Sequence, residues 1–321
     1  MRVCLPRYAP VLNQEAYEMP ASATSANANR RHDRQFFYKY VTPSTAKAAL
    51  FNRTLRWSSP LLFNDPFDVP RNLSFEFTAR KLQEALAEDL ALMIETGAPT
   101  PPHSMPLLGF LLNALRNNPN PAYRTMIAND LRTNALHHIP VPKIGFRELQ
   151  DFWDNGIPTM RILCVSESAF STVMWAHYAA GHTGAALEFE ALDAVDSPLL
   201  MARPVQYQDA PPKLPSKQEW VESMMGRHPI DLKELFKEYQ YVKESQWAYE
   251  QEWRIVTYAR PAESGLFADY NYSPQELQRV ILGADCSVED DAKIRSVVAA
   301  AYPHATVVRA RIDHSSRQIT F

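Results

Sequence analysis

Two glutamates and an arginine at alternate positions form the strongest chemical pattern in this sequence. The alternation of Glu250, Glu252 and Arg254 with bulkier residues predicts a strand over Glu250–Tyr258, with the three charged side chains on one face. Two like charges this close repel each other, and functional sites often accept that cost. A carboxylate pair can stabilise a cation and transfer a proton. The alternative is an exposed strand with a cross-strand ion pair.

The segment Tyr38-Lys39-Tyr40 combines two aromatic rings with a cation. It lies in an aromatic and β-branched run, Phe36–Val41, which predicts a strand with both tyrosines on one face and Lys39 on the other. One interpretation is an aromatic wall and a cation for an anionic ligand. On residue type alone, an edge strand with amphipathic tyrosines is the commoner meaning.

A loop held by prolines, Ser58–Asp68, contains two phenylalanines that are expected to attach it to the core. The polar side chains of Asn64, Asp65 and Asp68 would then be held rigidly over a pocket. Asn and Asp before proline are also common turn formers. An anchored turn without a functional role therefore explains the same residues.

A third group of polar residues lies in the middle of the chain. Ser166 precedes a helix predicted over 171–180, which carries Tyr178. His177 and His182 raise the question of a metal site, but their spacing of five does not suit one helical face, and no third ligand lies nearby. Structural histidines are therefore the better interpretation.

The elements that must position these residues are strands interrupted by clustered helices. Strands are predicted at residues 36–41, 54–58, 72–77, 160–165, 184–189, 205–208, 250–258, 280–282, 306–311 and 318–321. Helices are predicted at residues 42–50, 81–96, 107–116, 122–137, 147–153, 171–180, 217–225, 230–243 and 288–301. This pattern favours an α+β fold over a doubly wound sheet. It predicts a flexible tail over 1–34 and a single domain over 35–321, with a helical insertion at about 78–155.

The composition excludes several classes of protein. Of 321 residues, 46% are apolar, which is enough for a sizeable core, and a net charge of −3 provides no global field to attract nucleic acid. The nine glycines form neither a dinucleotide fingerprint nor a P-loop. Three widely spaced cysteines and no long apolar run predict a cytoplasmic protein without a disulfide framework or a membrane span. The sequence leaves the oligomeric state open.

Taken together, these segments resemble the bacterial domain-of-unknown-function family 2971. The resemblance covers roughly residues 36–260, and the Asn-Asp-Pro-Phe and Trp-x-His-Tyr pieces are its most specific parts. It lies in a series of motifs: Tyr38-Lys39-Tyr40, Ser59-Pro60, Phe63-Asn64-Asp65-Pro66-Phe67-Asp68, Ser166, Trp175-Ala176-His177-Tyr178, Gly184 and Tyr249-Glu250-Gln251-Glu252-Trp253-Arg254.

The order of an aromatic-basic strand, a middle segment with serine and tyrosine, and a late Glu-x-Glu strand is also similar to the ADP-ribosyltransferase fold. That resemblance implies a mostly antiparallel central sheet and cleavage of the nicotinamide–ribose bond of NAD. The ADP-ribose would pass to a macromolecular acceptor, as with toxins or antiphage effectors. The near-neutral charge slightly favours a protein acceptor over nucleic acid.

The same resemblance assigns roles to residues of this chain. Glu252 is the expected catalytic carboxylate, because a carboxylate stabilises the oxocarbenium character of the ribose. Glu250 is expected to act as a base or to orient the acceptor, and Tyr178 to flank the nicotinamide. The residues expected to bind NAD are Tyr38, Lys39, Tyr40, Ser59, Asn64, Asp65, Ser166, Trp175, His177 and Arg254.

The residues leave two other functions open. A magnesium-dependent nuclease would use Asp65, Asp68, Glu250 and Glu252 as ligands, although the chain lacks a Glu-x-Lys pattern beside them. A non-enzymatic sensor or adaptor of a defence system would bind a ligand or partner at the same surface. The tertiary structure can distinguish these functions. A single pocket that contains the tyrosines and the carboxylates would favour the NAD-cleaving enzyme. Carboxylates clustered around a metal ion would favour the nuclease, and motifs scattered over the surface would favour the adaptor.

Overall fold

Strands and helices are both present along this chain, and five consecutive α-helices of its described part separate the second strand from the third, as expected for an α+β fold with a helical insertion. The computed structural model describes residues 27–71, 73, 75–102, 106–118, 120–138, 143–210 and 212–321. The strands are β1 (Phe36–Val41), β2 (Thr54–Ser58), β3 (Met160–Ser166), β4 (Ala185–Glu190), β5 (Arg203–Pro204), β6 (Gln206–Tyr207), β7 (Val242–Lys243), β8 (Glu252–Tyr258), β9 (Phe267–Asn271), β10 (Leu277–Leu282), β11 (Thr306–Arg309), β12 (Arg311–Asp313) and β13 (Gln318–Thr320). The helices are α1 (Pro43–Asn52), α2 (Ala79–Thr96), α3 (Pro106–Arg116), α4 (Pro121–Thr133), α5 (Ala135–His138), α6 (Lys143–Gly156), α7 (Thr172–Tyr178), α8 (Lys217–Met224), α9 (Leu232–Tyr239) and α10 (Val288–Ala301). None of the helices in these ranges is long and apolar enough to cross a bilayer.

Nine of the described strands form a mostly antiparallel central sheet. The order along its main path is β11-β10-β4-β1-β3-β2-β9, while β8 pairs with β3 and β5 pairs with β8. Strands β10 and β11 run parallel, and α10 provides the crossover that a parallel pair requires. The α+β class predicted from the sequence is therefore confirmed.

Strand β3 has one edge that is shared between two partners. Ser166, at its end, pairs with Tyr38 of β1 and also with β8. Ile162, near its start, pairs with Ser58 of β2 and again with β8. Because β8 occupies one edge throughout, β1 and β2 must both use the other edge. They diverge between these two positions and leave a gap beside residues 163–165.

One face of the sheet carries the main hydrophobic core. Phe37, Leu187 and Val280 point to this face and pack with Leu50 of α1 and Val298 of α10. Each fully buried side chain of this kind contributes about 1.5–3 kcal/mol. The opposite face is the one on which the even-numbered residues of β1, β3 and β8 lie, and it carries most of the polar motif residues.

The helices α2 to α6 occupy the region predicted as a helical insertion. They have a second core, in which Leu86 and Leu112 pack against Val221 of α8. Helix α2 begins where the Thr78 side chain accepts a hydrogen bond from a backbone N–H of the first turn, and ends at Gly97. Gly97 has a φ of 67°, the left-handed conformation that ends many helices.

Residues 27–34 belong to the predicted tail but are attached to the folded part of the chain. Arg30 Nη2 lies 2.9 Å from Asp193 Oδ2. The His32 ring makes edge contacts with Phe37 and Trp253, at centroid distances of 5.2 and 5.0 Å. Asp193 and Trp253 are distant in sequence from this segment, so local composition could not indicate these contacts. The rest of the predicted tail, residues 1–26, lies outside the described residues.

Several predicted elements differ from the structure. The helix predicted over 122–137 is interrupted at Asn134, and the strand predicted over 306–311 is interrupted at Ala310. Residues 73 and 75–77 are not in a strand, and residues 72 and 74 lie outside the described residues. The helix predicted over 230–243 ends at Tyr239, since the following residues form β7 by pairing with β6. The predicted strand 250–258 begins at Glu252, because Gln251 adopts a left-handed φ of 45° that interrupts extended backbone.

Candidate functional site

The gap between β1 and β2 contains a cavity of about 210 Å³. Its walls come from β1, β2 and β3, from the loop at 62–68, from α7 and from residues between 243 and 252. It is lined by most of the predicted site residues: Tyr38, Lys39, Tyr40, Asn64, Asp65, Ser166, Tyr178, Glu250 and Glu252. Motifs that are far apart in sequence therefore meet at one cavity.

Three carboxylates and two cations form a buried charge network beside this cavity. Arg254 donates to both oxygens of Glu252, at 2.8 and 2.9 Å, and to Asp68 Oδ2 at 2.7 Å. Lys243 Nζ lies 2.6 Å from Glu250 Oε2 and 3.3 Å from an oxygen of Glu252 and of Asp68. All five residues are more than nine-tenths buried. Each charge therefore depends on its partners instead of on water.

The two glutamates of the network have pKa values shifted in opposite directions. Burial raises the pKa of Glu250, and the Glu252 carboxylate raises it further against the effect of Lys243 and Tyr178. Burial alone would also raise the pKa of Glu252, but Arg254 and Lys243 outweigh it and lower that pKa. Glu252 is therefore held ionised, whereas Glu250 is the group able to carry a proton. Two neighbouring carboxyl groups with oppositely shifted pKa values are typical of acid–base sites.

Hydrogen bonds from three other elements hold the glutamates in place. Tyr178 Oη donates to Glu250 Oε1 at 2.6 Å, and burial followed by this carboxylate raises the pKa of Tyr178, so the hydroxyl stays a donor. Ser166 Oγ donates to the Glu250 carbonyl oxygen at 2.7 Å. Tyr207 Oη accepts from the Glu252 N–H at 2.8 Å. The geometry of the pair is thus fixed through α7, β3 and β6.

The Tyr38-Lys39-Tyr40 strand contributes rings and a cation to the cavity. Burial and a neighbouring glutamate raise the pKa of Tyr38 to about 12, so its hydroxyl is neutral at physiological pH. Tyr40 Oη donates to the Ser168 carbonyl oxygen at 2.9 Å. Lys39 Nζ donates to the Cys164 carbonyl oxygen at 2.7 Å, across the gap where β1 leaves β3. Tyr40 and Lys39 therefore also connect β1 to β3 and to the residues that follow β3, where the two strands diverge.

The loop that follows β2 is anchored by Ser59. The Ser59 side chain is completely buried, and its Oγ donates to the Ile157 carbonyl oxygen at 2.8 Å and accepts from the Leu61 N–H at 3.2 Å. Ser59 is not among the cavity residues, although it was predicted to bind NAD. It instead positions the loop from which Asn64 and Asp65 reach the cavity.

Trp175, His177 and Arg254 were also predicted to bind NAD, and none of them lines the cavity. Trp175 is fully buried, and its indole N–H donates to the Ala169 carbonyl oxygen at 2.8 Å. His177 is exposed, with Nδ1 3.1 Å from Tyr249 Oη. Arg254 is completely buried and contacts Glu252 and Asp68. Sequence spacing predicts on which face of a helix or strand a side chain lies, but it does not predict how deeply that side chain is buried. This is why the sequence could not separate these three residues from those that line the cavity.

The described residues contain no group of three or more His, Cys, Asp or Glu side chains placed to hold a metal ion. In the charge network, Lys243 and Arg254 occupy both oxygens of Glu252 and one oxygen each of Glu250 and Asp68, which are ligands that a divalent cation would need. The geometry thus gives the nuclease hypothesis little support.

Lys243 is the main site residue that the sequence analysis missed. Lys243 was the last residue of the helix predicted over 230–243, and that prediction did not place its side chain near the carboxylates. In the structure Lys243 lies in β7, and its side chain contacts Glu250. One signal was present in the sequence. Asp68, Glu250 and Glu252 all belong to the recognised motifs, and Arg254 alone cannot balance three buried carboxylates.

Fold and site together define an α+β protein with a buried carboxylate–cation network beside a small cavity of tyrosines and polar residues. A family model described as "Protein of unknown function (DUF2971)" matches residues 174–255 of this chain. That segment contains Trp175, His177, Tyr178, Tyr207, Lys243, Glu250, Glu252 and Arg254. No curated protein and no solved structure matches the chain significantly.

Proposed function

We propose that this chain cleaves the nicotinamide–ribose bond of NAD and transfers the ADP-ribose group to a macromolecular acceptor. The observation that carries the proposal is the opposite pKa shift of Glu250 and Glu252, two carboxyl groups that line the same cavity. The reaction needs one carboxylate that remains ionised and a second that takes up a proton.

Glu252 fits the first requirement. The nicotinamide nitrogen of NAD is positively charged, so when its bond to the ribose breaks, the electron pair neutralises the ring and no proton is needed. Positive charge then develops on the ribose, and the ionised Glu252 stabilises it. Arg254 keeps both oxygens of Glu252 fixed at 2.8 and 2.9 Å, so the carboxylate does not need to reorganise during the reaction.

Glu250 fits the second requirement. When the acceptor atom bonds to the ribose carbon, its proton passes to a carboxylate oxygen of Glu250. The raised pKa of Glu250 makes its carboxylate a stronger base than that of an exposed glutamate. Tyr178 and Lys243 contact one oxygen each, at 2.6 Å, and orient the group towards the cavity.

The size of the cavity indicates how NAD would bind. Its volume of about 210 Å³ is smaller than the roughly 300–1,000 Å³ of pockets that enclose drug-sized ligands. We assign the nicotinamide and its ribose to the cavity and the adenosine half to the surface outside it. Tyr38 and Phe63 line the cavity and offer ring faces for the nicotinamide, and Lys39 supplies positive charge for the diphosphate.

The decisive experiment measures nicotinamide release from NAD by the purified chain, with buffer alone and with cell lysate as a source of acceptors. We expect release by the unaltered chain and a loss of at least about a hundredfold in Glu252→Gln, since the cation then lacks the ionised carboxylate that stabilises it. Circular dichroism would show that the variant is folded. Glu289→Gln, an exposed change on α10, is the matched control and should retain full activity. Absence of release under both conditions would overturn the proposal and favour the adaptor hypothesis.

A further inference from the structure

Three buried polar atoms of the cavity residues have no hydrogen-bond partner within the described structure. They are Asp65 Oδ2, Asp68 Oδ1 and Trp247 Nε1. Asp65 and Asp68 are only 5% and 2% exposed, and all three residues line the cavity. A buried acceptor or donor that lacks a protein partner is unfavourable, so such a group needs a partner such as water, an ion or a ligand.

The three residues lie close together. The Asp68 N–H donates to the Asp65 carbonyl oxygen at 3.3 Å, in one turn of the loop. Lys243 Nζ is 3.3 Å from Asp68 Oδ2 and 4.8 Å from the centroid of the Trp247 ring, so it joins that turn to the indole. The residues that carry the three unpaired atoms are therefore neighbours in the cavity wall.

The Asp65 carboxylate is also fixed in direction. Its Oδ1 accepts from the Phe67 N–H at 2.9 Å, as in an Asx turn, and this leaves Oδ2 as the free acceptor. The second carboxylate is equally constrained, since Asp68 Oδ2 is held by Arg254 at 2.7 Å. The site thus presents two fixed acceptors and one indole donor.

We infer that these atoms form a subsite for the carboxamide of nicotinamide, an inference that rests on the function proposed above. A carboxamide has two N–H donors and one carbonyl acceptor, which is the complement of two carboxylate oxygens and one indole N–H. A carboxylate in the same position would face Asp65 and Asp68, which offer acceptors and negative charge. Asp65 is then a specificity-determining residue that selects NAD over its nicotinic acid form.

The test compares binding of NAD and of nicotinic acid adenine dinucleotide by calorimetry. Both titrations use the Glu252→Gln variant, so that the ligands are not consumed. We expect NAD to bind at least about tenfold more tightly, because the acid form loses two donors and adds like charge. Adding Asp65→Asn keeps the Oδ1 contact and replaces the free acceptor with an amide donor. This change should reduce the preference to about threefold or less.

Asp151→Asn, an exposed change on α6, is the matched control and should leave the preference unchanged. Tight binding of both ligands without a preference would overturn the carboxamide subsite while leaving the proposed function intact. A preference that survives Asp65→Asn in a folded variant would also overturn it. Failure of both ligands to bind would instead contradict the proposed function itself. If the Asp65 variant does not fold, the comparison of the two ligands on the Glu252→Gln background still decides the question.

Discussion

At the scale of single residues, the charge network has an imbalance with chemical consequences. If Asp68, Glu250 and Glu252 are all ionised, they exceed the charge of Lys243 and Arg254 by one negative unit. Either a proton on one carboxyl group or a cationic ligand removes this excess. Burial and the neighbouring Glu252 carboxylate raise the pKa of Glu250, so we expect Glu250 to take this proton. The positively charged nicotinamide ring of NAD is a ligand that fits the other possibility.

The raised pKa of Glu250 predicts how the proposed activity depends on pH. Glu250 must be ionised to accept a proton, and its pKa is raised above the usual value for glutamate. Nicotinamide release should therefore increase with pH through that raised pKa, within the range where circular dichroism is constant. Glu250→Gln should be slower and should lose this acidic limb. An unchanged acidic limb in the variant would assign the titration to another group.

At the scale of elements, the divided edge of β3 creates the cavity. Strand β1 pairs with six residues of β4 but with β3 only at Tyr38 and Ser166, so it diverges from β3 early. The turn before β4 supports this arrangement, because Gly184 lies against the end of β1. A Cβ atom on Gly184 would lie 2.1 Å from the Val41 carbonyl oxygen, far inside van der Waals contact.

We therefore expect Gly184→Ala to separate β1 from the start of β4. The expected loss in the free energy of unfolding is about 2 kcal/mol or more, because backbone atoms and not a flexible side chain must move. Urea denaturation gives the value. Gly156→Ala is the matched control, since nothing lies within 4 Å of the added Cβ and the backbone is in the right-handed helical region. It should change stability by less than about 1 kcal/mol. Equal losses in the free energy of unfolding for Gly184→Ala and Gly156→Ala would contradict the close contact between Gly184 and the end of β1.

At the scale of the whole molecule, the charge network links segments that are remote in sequence. Lys243 of β7 joins Asp68, in the loop after β2, to Glu250, just before β8, and to Glu252, the first residue of β8. The main hydrophobic core lies on the opposite face of the sheet, so apolar packing there cannot replace these contacts. The polar face depends on charge pairing to hold the loop against the sheet.

Lys243→Met should consequently reduce global stability. The substitution preserves much of the side-chain volume but leaves three buried carboxylates with Arg254 alone, which costs about 3–5 kcal/mol in comparable buried pairs. Chemical denaturation followed by tryptophan fluorescence would measure the loss. Lys237→Met, at an exposed ion pair on α9, should cost less than about 1 kcal/mol. Adding Glu250→Gln to Lys243→Met should restore part of the loss, and purely additive effects would argue against a shared network.

The sequence by itself determined which residue types are available for chemistry and much of the local structure. The alternation in 250–258 and the aromatic run in 36–41 are local patterns, and β8 and β1 form there. The central sheet follows from the same strand-rich pattern. Tyr38, Asp65, Tyr178, Glu250 and Glu252 were recognised before their positions were known, and they line one cavity.

Only the tertiary structure decided the partners and depth of these side chains. Strand order and register arise from pairing between distant segments, which local propensity does not encode. Lys243 reaches the charge network because it lies in β7, which pairs with β6. Trp175 and Ser59 are fully buried by the fold and do not line the cavity. Glu250 and Glu252 are similar in sequence, and only the position of Arg254 and Lys243 relative to each of them separates their pKa values.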